Sequence, residues 1–409
     1  MSSGIGRGPL ASAAVRRLAV QAAVAGASSL VAAGLAAAAA ATVFARKVVT
    51  PDAERPEDVE VISVVGDLVT LRADPLTTLL LGRYGLWQDN WTVHAQLGPV
   101  LRHDAETGTV QRRVLDVQGG RLRPGRGRWN QYFYAGTPAS ALGLDYQDVE
   151  VPGEAGVLPG WLVPGAPVDS ATPPVSRPTW AILVHGRGAT REECLRALPV
   201  LHRLGLTSLV AGYRTTAGLL PDPLRPISRY HLGDREWQDV ESAVIYAAEH
   251  GAEEIVLIGW SMGGAIAMQT ISRSWTAERI RGLVLDAPVL DWRDVLAHQA
   301  RINRLPPMVG RLGQSVLSHR SAWRLAGTEA PVDLDRLDWV TRSAELTHPV
   351  LLIHSVDDEY VPAEPSQRFA QARPELVTYL SIDGARHCKE WNVDPEAWET
   401  AVARFLLRL

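Results

Sequence analysis

The chain has only two cysteines, Cys194 and Cys388, among its 409 residues. Two thiols cannot build a disulfide scaffold, and nothing around them has metal-ligand spacing. Two buried thiols are the expectation, with one disulfide as the alternative if the domain is exported. Lysine is almost missing too. Lys47 and Lys389 are the only two, and arginine supplies the other basic residues. With the abundant alanine, this reads as the stamp of a GC-rich bacterial genome rather than as chemistry. No charge of one sign dominates: the net charge is −4. Arg7, Arg16, Arg17, Arg46 and Lys47 stand in the first 50 residues without a single acid, so the remaining body is mildly acidic. That excludes nucleic acid as the main partner. Internal repeats are absent. Apolar residues make up 46% of the chain and charged residues 21%, which excludes wholesale disorder and permits a sizeable core.

What is present begins with a long apolar run. No charged side chain occurs from Leu18 to Ala45; Arg16-Arg17 precede the run and Arg46-Lys47 follow it. A membrane-spanning helix needs about 20 such residues, whereas the apolar stretch of a cleaved signal is about 7 to 15. Residues 1–50 therefore read as a membrane anchor. The run is rich in Ala, Gly and Ser, which keeps a cleaved export signal or a soluble leader open as alternatives. The pair Arg16-Arg17 by itself is a weak twin-arginine signal. The charge balance around the run leans toward the N-terminus inside and the catalytic body outside a bacterial cell membrane, with secretion as the alternative.

Residues 51–142 read as a small β-rich extension. Short β-prone runs at 59–65 and 68–71 are broken by Gly, Asp and Pro, and 119–127 is a Gly/Arg/Pro-rich loop. Trp87, Trp91, Trp129, Tyr132, Phe133 and Tyr134 are expected to pack a small core. Asn90-Trp91-Thr92 fits a glycosylation sequon, which carries little weight in a bacterial chain.

From 143 to 409 the pattern alternates apolar strands with amphipathic helices, the signature of a mostly parallel sheet flanked by helices. Strands are expected at 148–151, 158–163, 180–185, 208–211, 255–260, 280–285, 350–354 and 377–382. Helices are expected at 191–204, 237–250, 264–271 and 395–407. Between about 291 and 348 the strand rhythm stops, and the mostly polar, helical stretch reads as a cap over the carboxyl ends of the strands.

Gly259-Trp260-Ser261-Met262-Gly263 fits G-x-S-x-G, placed after a strand and before a helix, the context this tight turn requires. A serine hydroxyl is a poor nucleophile near neutral pH and needs a base. Candidates follow in the order acid then histidine: the loop Asp357-Asp358-Glu359-Tyr360-Val361-Pro362, then Gly384-Ala385-Arg386-His387. Residues from about Asp145 to Leu409 resemble the α/β-hydrolase superfamily. Asp358 to Pro362 resembles its D-x-x-V-P acid loop, Gly384 to His387 its G-x-x-H loop, and His185-Gly186-Arg187 its H-G-x motif. The resemblance implies an α/β-hydrolase fold with an eight-stranded sheet, Ser261 as nucleophile, His387 as base and Asp358 as acid. Asp357 is the neighbouring competitor, and Asp286 the acid of a variant arrangement. Ser355 stands where the family usually has Gly.

The oxyanion donors implied are the backbone N–H groups of Met262 and Arg187. The Arg187 side chain would face either the pocket or solvent. His185 and His354 read as structural, and His231 as solvent-exposed or bordering the pocket. No metal or organic cofactor is implied. The machinery serves cleavage of a carboxylic ester, thioester or lipid acyl ester. A peptidase, an acyltransferase and a catalytically silent membrane-anchored interaction module are the alternatives. A superficial likeness to the prolyl-oligopeptidase-like branch meets an N-terminal extension too short for a propeller. The serine at the elbow excludes dehalogenase chemistry.

Overall fold

The computed structural model describes residues 32–51, 57–154, 156–167, 178–216 and 229–409. Of the apolar run, residues 18–31 fall outside the described residues. The rest lies in helix α1 (Ala32–Val49), which is long and apolar enough to cross a membrane.

Six strands follow: β1 (Val59–Val65), β2 (Leu68–Arg72), β3 (Tyr84–Gln88), β4 (Val93–Asp104), β5 (Thr109–Gln118) and β6 (Gly125–Asn130). They close into an antiparallel barrel in the order β1-β2-β5-β4-β3-β6, with β6 returning to pair with β1. Closure removes the sheet edges that would otherwise invite association. Alternate residues point inward, so Val59, Val61, Val69, Leu71, Leu86 and Leu97 form the barrel core. The stretch 119–127 is a loop only in its first part. From Gly125 it is the closing strand, and Gly127 is needed there, because a Cβ would lie 2.9 Å from the Trp87 carbonyl oxygen.

One inward position of β5 is Arg112, fully buried. Its guanidinium donates to the carbonyls of Thr78 (3.0 Å), Gly82 (2.8 Å), Gly98 (2.8 Å) and Leu80. It also lies over the rings of Tyr84 and Trp129, at 5.6 and 5.2 Å. Burial pulls this guanidinium down to about 10, against an opposing effect from Tyr84.

Helix α2 (Pro138–Leu142) leads into the second sheet. Its strands are β7 (Gln147–Gly153), β8 (Gly156–Val163), β9 (Thr179–Val184), β10 (Thr207–Ala211), β11 (Glu254–Trp260), β12 (Ile280–Asp286), β13 (Val350–Ile353) and β14 (Val377–Leu380). The order is β14-β13-β12-β11-β9-β10-β8-β7. The strands from β9 to β14 run parallel, while β8 is antiparallel to β10 and β7 to β8, so the sheet is mixed.

The continuous apolar runs of β9 and β11 are covered on both faces. One face carries α4 (Trp237–Glu249), α5 (Met262–Arg273) and α9 (Glu364–Ala372). The other carries α3 (Leu198–Arg203) and α11 (Pro395–Leu406), with the short α10 (Glu390–Val393) before it. The helix expected at 191–204 is split. Arg191–Ala197 is a 3-10 turn and only Leu198–Arg203 is α-helical, with Pro199 at its start, where a proline's missing N–H and its clash with the preceding residue break a longer helix.

The β12–β13 crossover holds α6 (Trp292–Ile302), α7 (Pro307–Ser318) and α8 (Trp323–Ala326). Helix α6 reaches the loop after β13: Gln299 Nε2 donates to the Tyr360 carbonyl (2.8 Å), and His298 Nε2 lies 3.0 Å from that of Glu359. The last turns of α1 pack into the catalytic core through Ala41, Phe44, Ala45 and Val49.

Candidate active site

The buried strand β11 ends on Ser261, which has φ +51° and ψ −114°. A non-glycine residue rarely adopts such a backbone, and here the turn enforces it. The flanking glycines are sterically required. A Cβ on Gly263 would sit 2.1 Å from the Val184 carbonyl oxygen, and one on Gly259 would sit 2.5 Å from that of Gly263. The turn is pinned to β12, with Ser261 N–H donating to the Asp286 carbonyl at 2.9 Å.

Ser261 Oγ lies 2.9 Å from His387 Nε2. On the other side of the ring, His387 Nδ1 lies 2.7 Å from Asp358 Oδ2. The second carboxylate oxygen, Asp358 Oδ1, accepts the N–H groups of Tyr360 and Val361, both at 2.8 Å. The structure therefore brings Ser261, His387 and Asp358 into one chain of hydrogen bonds. Asp357 lies apart and accepts Gly384 N–H at 2.7 Å, tying the acid loop to the histidine loop. Asp286 also lies apart, its Oδ2 accepting from Trp398 Nε1 at 2.7 Å. Ser355 has a use of its own: its Oγ accepts Asp357 N–H at 3.1 Å inside the turn.

Electrostatics follow from burial and pairing. Burial alone favours neutral His387, but the Asp358 carboxylate and its hydrogen bond outweigh it, and the imidazole ends above its ordinary value. Burial pushes Asp358 up, and the two imidazoles it faces pull it well below the usual carboxylate range. Glu390 is pushed well above its ordinary value by burial and by the carboxylates of Asp286 and Asp358. Glu390 Oε2 and Asp286 Oδ1 are both buried without a hydrogen-bond partner among the described residues.

His354 was legible only as a strand-end histidine. Its Nε2 lies 3.2 Å from Asp358 Oδ2, and its Nδ1 lies 2.8 Å from Ser366 Oγ, so it braces the acid from behind. His185 is buried, stacked on Tyr213 and lowered to about 4 by burial. His231 is buried too, contrary to the expectation of exposure. Its backbone N–H donates to Glu236 (2.6 Å), and its Nε2 accepts Glu329 N–H (3.3 Å), because the turn 229–233 folds over the Glu236 carboxylate. Cys194 and Cys388 are buried free thiols.

The loop 185–188 runs beside the elbow, so that a Cβ on Gly186 would lie 3.3 Å from Ser261 Cβ. Gly186 N–H donates to Glu193 Oε2 (2.6 Å) and Gly188 N–H to Tyr230 Oη (3.0 Å). Met262 opens α5, so its N–H has no carbonyl within the helix to bond. Glu193 is buried between Gln131 of the barrel-to-sheet linker (2.9 Å) and Arg196 (3.2 Å). Arg196 in turn donates to the Cys388 carbonyl at 2.7 Å. One ion pair thus joins the 185–188 loop to the histidine loop, a link the sequence pattern does not reveal.

The Arg187 side chain lies in neither expected place. Its Nε donates to the Val48 carbonyl (2.7 Å), and its Nη2 to those of Lys47 (3.0 Å) and Thr50 (2.9 Å). It caps α1, whose last carbonyls lack partners within the helix.

The chain is similar to several known proteins. An uncharacterized protein of Mycobacterium tuberculosis is 27% identical over 292 residues, 68% of this chain and 88% of that one. Among solved structures, the esterase Pf2001 of Pyrococcus furiosus is 21% identical, with TM-score 0.48, covering 67% of this chain and 96% of its own. A thermophilic esterase from Thermogutta terrifontis is 18% identical, with TM-score 0.43, covering 64% and 98%. Residues 60–130, the barrel, match a domain of unknown function. Residues 181–401 match the alpha/beta hydrolase family model. That match spans more than half of the chain and takes in the 185–188 loop, the elbow, the acid loop and the histidine loop, and by it the chain belongs to the alpha/beta hydrolase family.

Proposed function

We propose that this hydrolase cleaves an ester-like acyl bond, in a carboxylic ester, thioester or lipid acyl ester, through a covalent acyl-enzyme on Ser261. The observation that carries the reading is the continuous chain Ser261 Oγ–His387–Asp358, with contacts of 2.9 and 2.7 Å. His387 Nε2 takes the serine proton as Oγ attacks the carbonyl carbon. The N–H groups of Met262 and Arg187 hold the developing oxyanion. His387 then protonates the leaving group, and a water molecule, activated by the same nitrogen, attacks the acyl carbon and frees Ser261. Asp358 keeps the Nδ1–H tautomer in place and stabilises the imidazolium.

Helix α1 and the apolar run ahead of it support membrane anchoring of the catalytic domain, which favours an amphiphilic or lipid acyl ester as substrate. The test is labelling of the detergent-purified full chain with a fluorescent fluorophosphonate. Labelling of the wild type that disappears in Ser261→Ala and His387→Ala supports the reading. Labelling that survives Ser261→Ala overturns the nucleophile, and a folded wild type that does not label overturns the activated serine.

A further inference from the structure

The crossover that carries α6, α7 and α8 has an unusual surface. From Val295 to Thr328 the chain contains no acid, but it contains Arg301, Arg304, Arg311, Arg320 and Arg324, all exposed. None of the five is ion-paired among the described residues. The nearby carboxylates are taken by other arginines: Asp335 by Arg293, Glu329 by Arg235, Asp294 by Arg368. Between the unpaired arginines stand exposed apolar side chains, Ile302, Met308, Leu312 and Leu325. Met308 and Leu312 are one turn apart on α7, opposite the buried Val309, Gly313 and Leu317. Exposed cationic and apolar side chains interspersed along one crossover suit the boundary between lipid headgroups and acyl chains.

The position of α1 says which surface covers this face. Its last turns lie directly on the same helices. Gly313 of α7 lets Phe44 approach so closely that a Cβ would be 2.7 Å from the Phe44 ring, and Arg46 Nε donates to the Leu325 carbonyl (2.7 Å). Arg46 and Lys47, both exposed, add two more positive charges there. Side chains of α1 that turn away from the protein, Leu35 and Val43, are apolar and about two-thirds exposed. The uncharged run from Leu18 to Ala45 is longer than the ~20 residues a bilayer needs. It can therefore cross the membrane and still leave its last turns for docking.

We propose that the α6–α8 face is a second membrane contact, seated on an anionic phospholipid surface beside the anchor. The proposal rests on the anchor reading of α1 given under the proposed function. Anionic lipid, rather than a neutral bilayer or a protein, fits five arginines in an acid-free stretch with Arg46 and Lys47 beside them, since each cation near an anionic lipid surface gains from its negative potential. Because α6 is bonded to the backbone of Glu359 and Tyr360, and the Tyr360 ring stacks on His387 at 5.4 Å, the contact would bring the mouth of the site to the lipid boundary.

The experiment uses the full chain in liposomes, with Met308→Cys or Leu312→Cys carrying the polarity-sensitive dye NBD; the two native thiols are buried. Trp275→Cys, exposed before the start of β12 at the opposite end of the sheet, is the control. In vesicles of phosphatidylcholine with phosphatidylglycerol, the dye at 308 and 312 should shift to the blue and be quenched by spin-labelled lipid. In phosphatidylcholine alone both effects should be smaller, and at 275 neither should occur. Combined Arg304→Glu, Arg311→Glu and Arg320→Glu should abolish the dependence on phosphatidylglycerol. Flotation of the vesicles reads the anchor separately. A chain that floats while the dye at 308 and 312 behaves as at 275, or shifts equally in both lipids, overturns the anionic contact and leaves the anchor standing. A chain that does not float overturns both.

Discussion

Asp358→Asn is the sharpest probe of the proposed chemistry. The amide oxygen can keep the two bonds from Tyr360 and Val361 N–H, each 2.8 Å, so the loop should hold its shape. The amide nitrogen then replaces the oxygen that faces His387 Nδ1 at 2.7 Å and His354 Nε2 at 3.2 Å. A donor now meets donors. His387 can relieve this by moving its proton to Nε2, the nitrogen 2.9 Å from Ser261 Oγ, which can then no longer accept the serine proton. Triads with this amide lose about 10⁴ in kcat, which is about 5.4 kcal/mol at 1.36 kcal/mol per decade. The assay is turnover of a short p-nitrophenyl ester by the full chain in detergent, with thermal melting of each variant as a folding control. Asp357→Asn should stay within about tenfold, since it weakens one partly exposed bond to Gly384 N–H. An Asp358→Asn protein that melts like the wild type and keeps more than a tenth of its activity would refute the assignment. A loss of four decades in Asp286→Asn instead would transfer the role to that residue.

Because His387 must be neutral to act as base and its pairing with Asp358 raises it, the acidic limb of kcat/KM should fall above pH 6.5, the ordinary histidine value, and a limb below that value would contradict the pairing. Glu390 is raised in the folded state, so its contribution to stability is complete below about pH 4.5 and is lost as the pH climbs toward its raised value. Glu390→Gln should therefore match the wild type in acid and melt at a higher temperature than it in alkaline buffer, which melting curves across pH would check. Gly263→Ala should cost at least about 1–3 kcal/mol and most of the activity, since its methyl would collide with the Val184 carbonyl oxygen; denaturant titration and ester turnover report both. Arg112→Leu leaves four inward carbonyls without their donor and should destabilise the chain by about 3 kcal/mol or more, read as a fall in melting temperature.

Legibility in the sequence followed the strength of local constraint. Strands β9, β11, β12 and β13 are short, mostly apolar and bounded by turns, so their pattern stands out. The elbow is equally visible, because only glycine fits at 259 and 263. The barrel was readable as β-rich but not as closed. Its sixth strand, Gly125–Asn130, is mostly Gly and Arg, and it is a strand because its neighbours β1 and β3 supply hydrogen bonds on both sides, a long-range cause with no local trace. The same holds for the side chains that position the site. Nothing in the spacing of Glu193, Arg196 and Cys388 announces that they meet, and a motif search places Arg187 by its backbone N–H without revealing that its side chain reaches back 139 residues to Val48.

That last contact changes how the protein should be handled. A chain with an apolar N-terminal helix is ordinarily made tractable by cutting behind that helix, here near residue 52. The cut would strip Arg187 of the three carbonyls that hold its side chain, from Lys47, Val48 and Thr50, and strip Tyr230 of the Val49 carbonyl. It would also bare the pocket filled by Phe44, Ala45 and Val49. A soluble fragment made this way would be prone to aggregation and to sluggish turnover for reasons unrelated to its chemistry. Cutting ahead of residue 38 instead would keep the docked turns, trading a little solubility for an intact neighbour to the site.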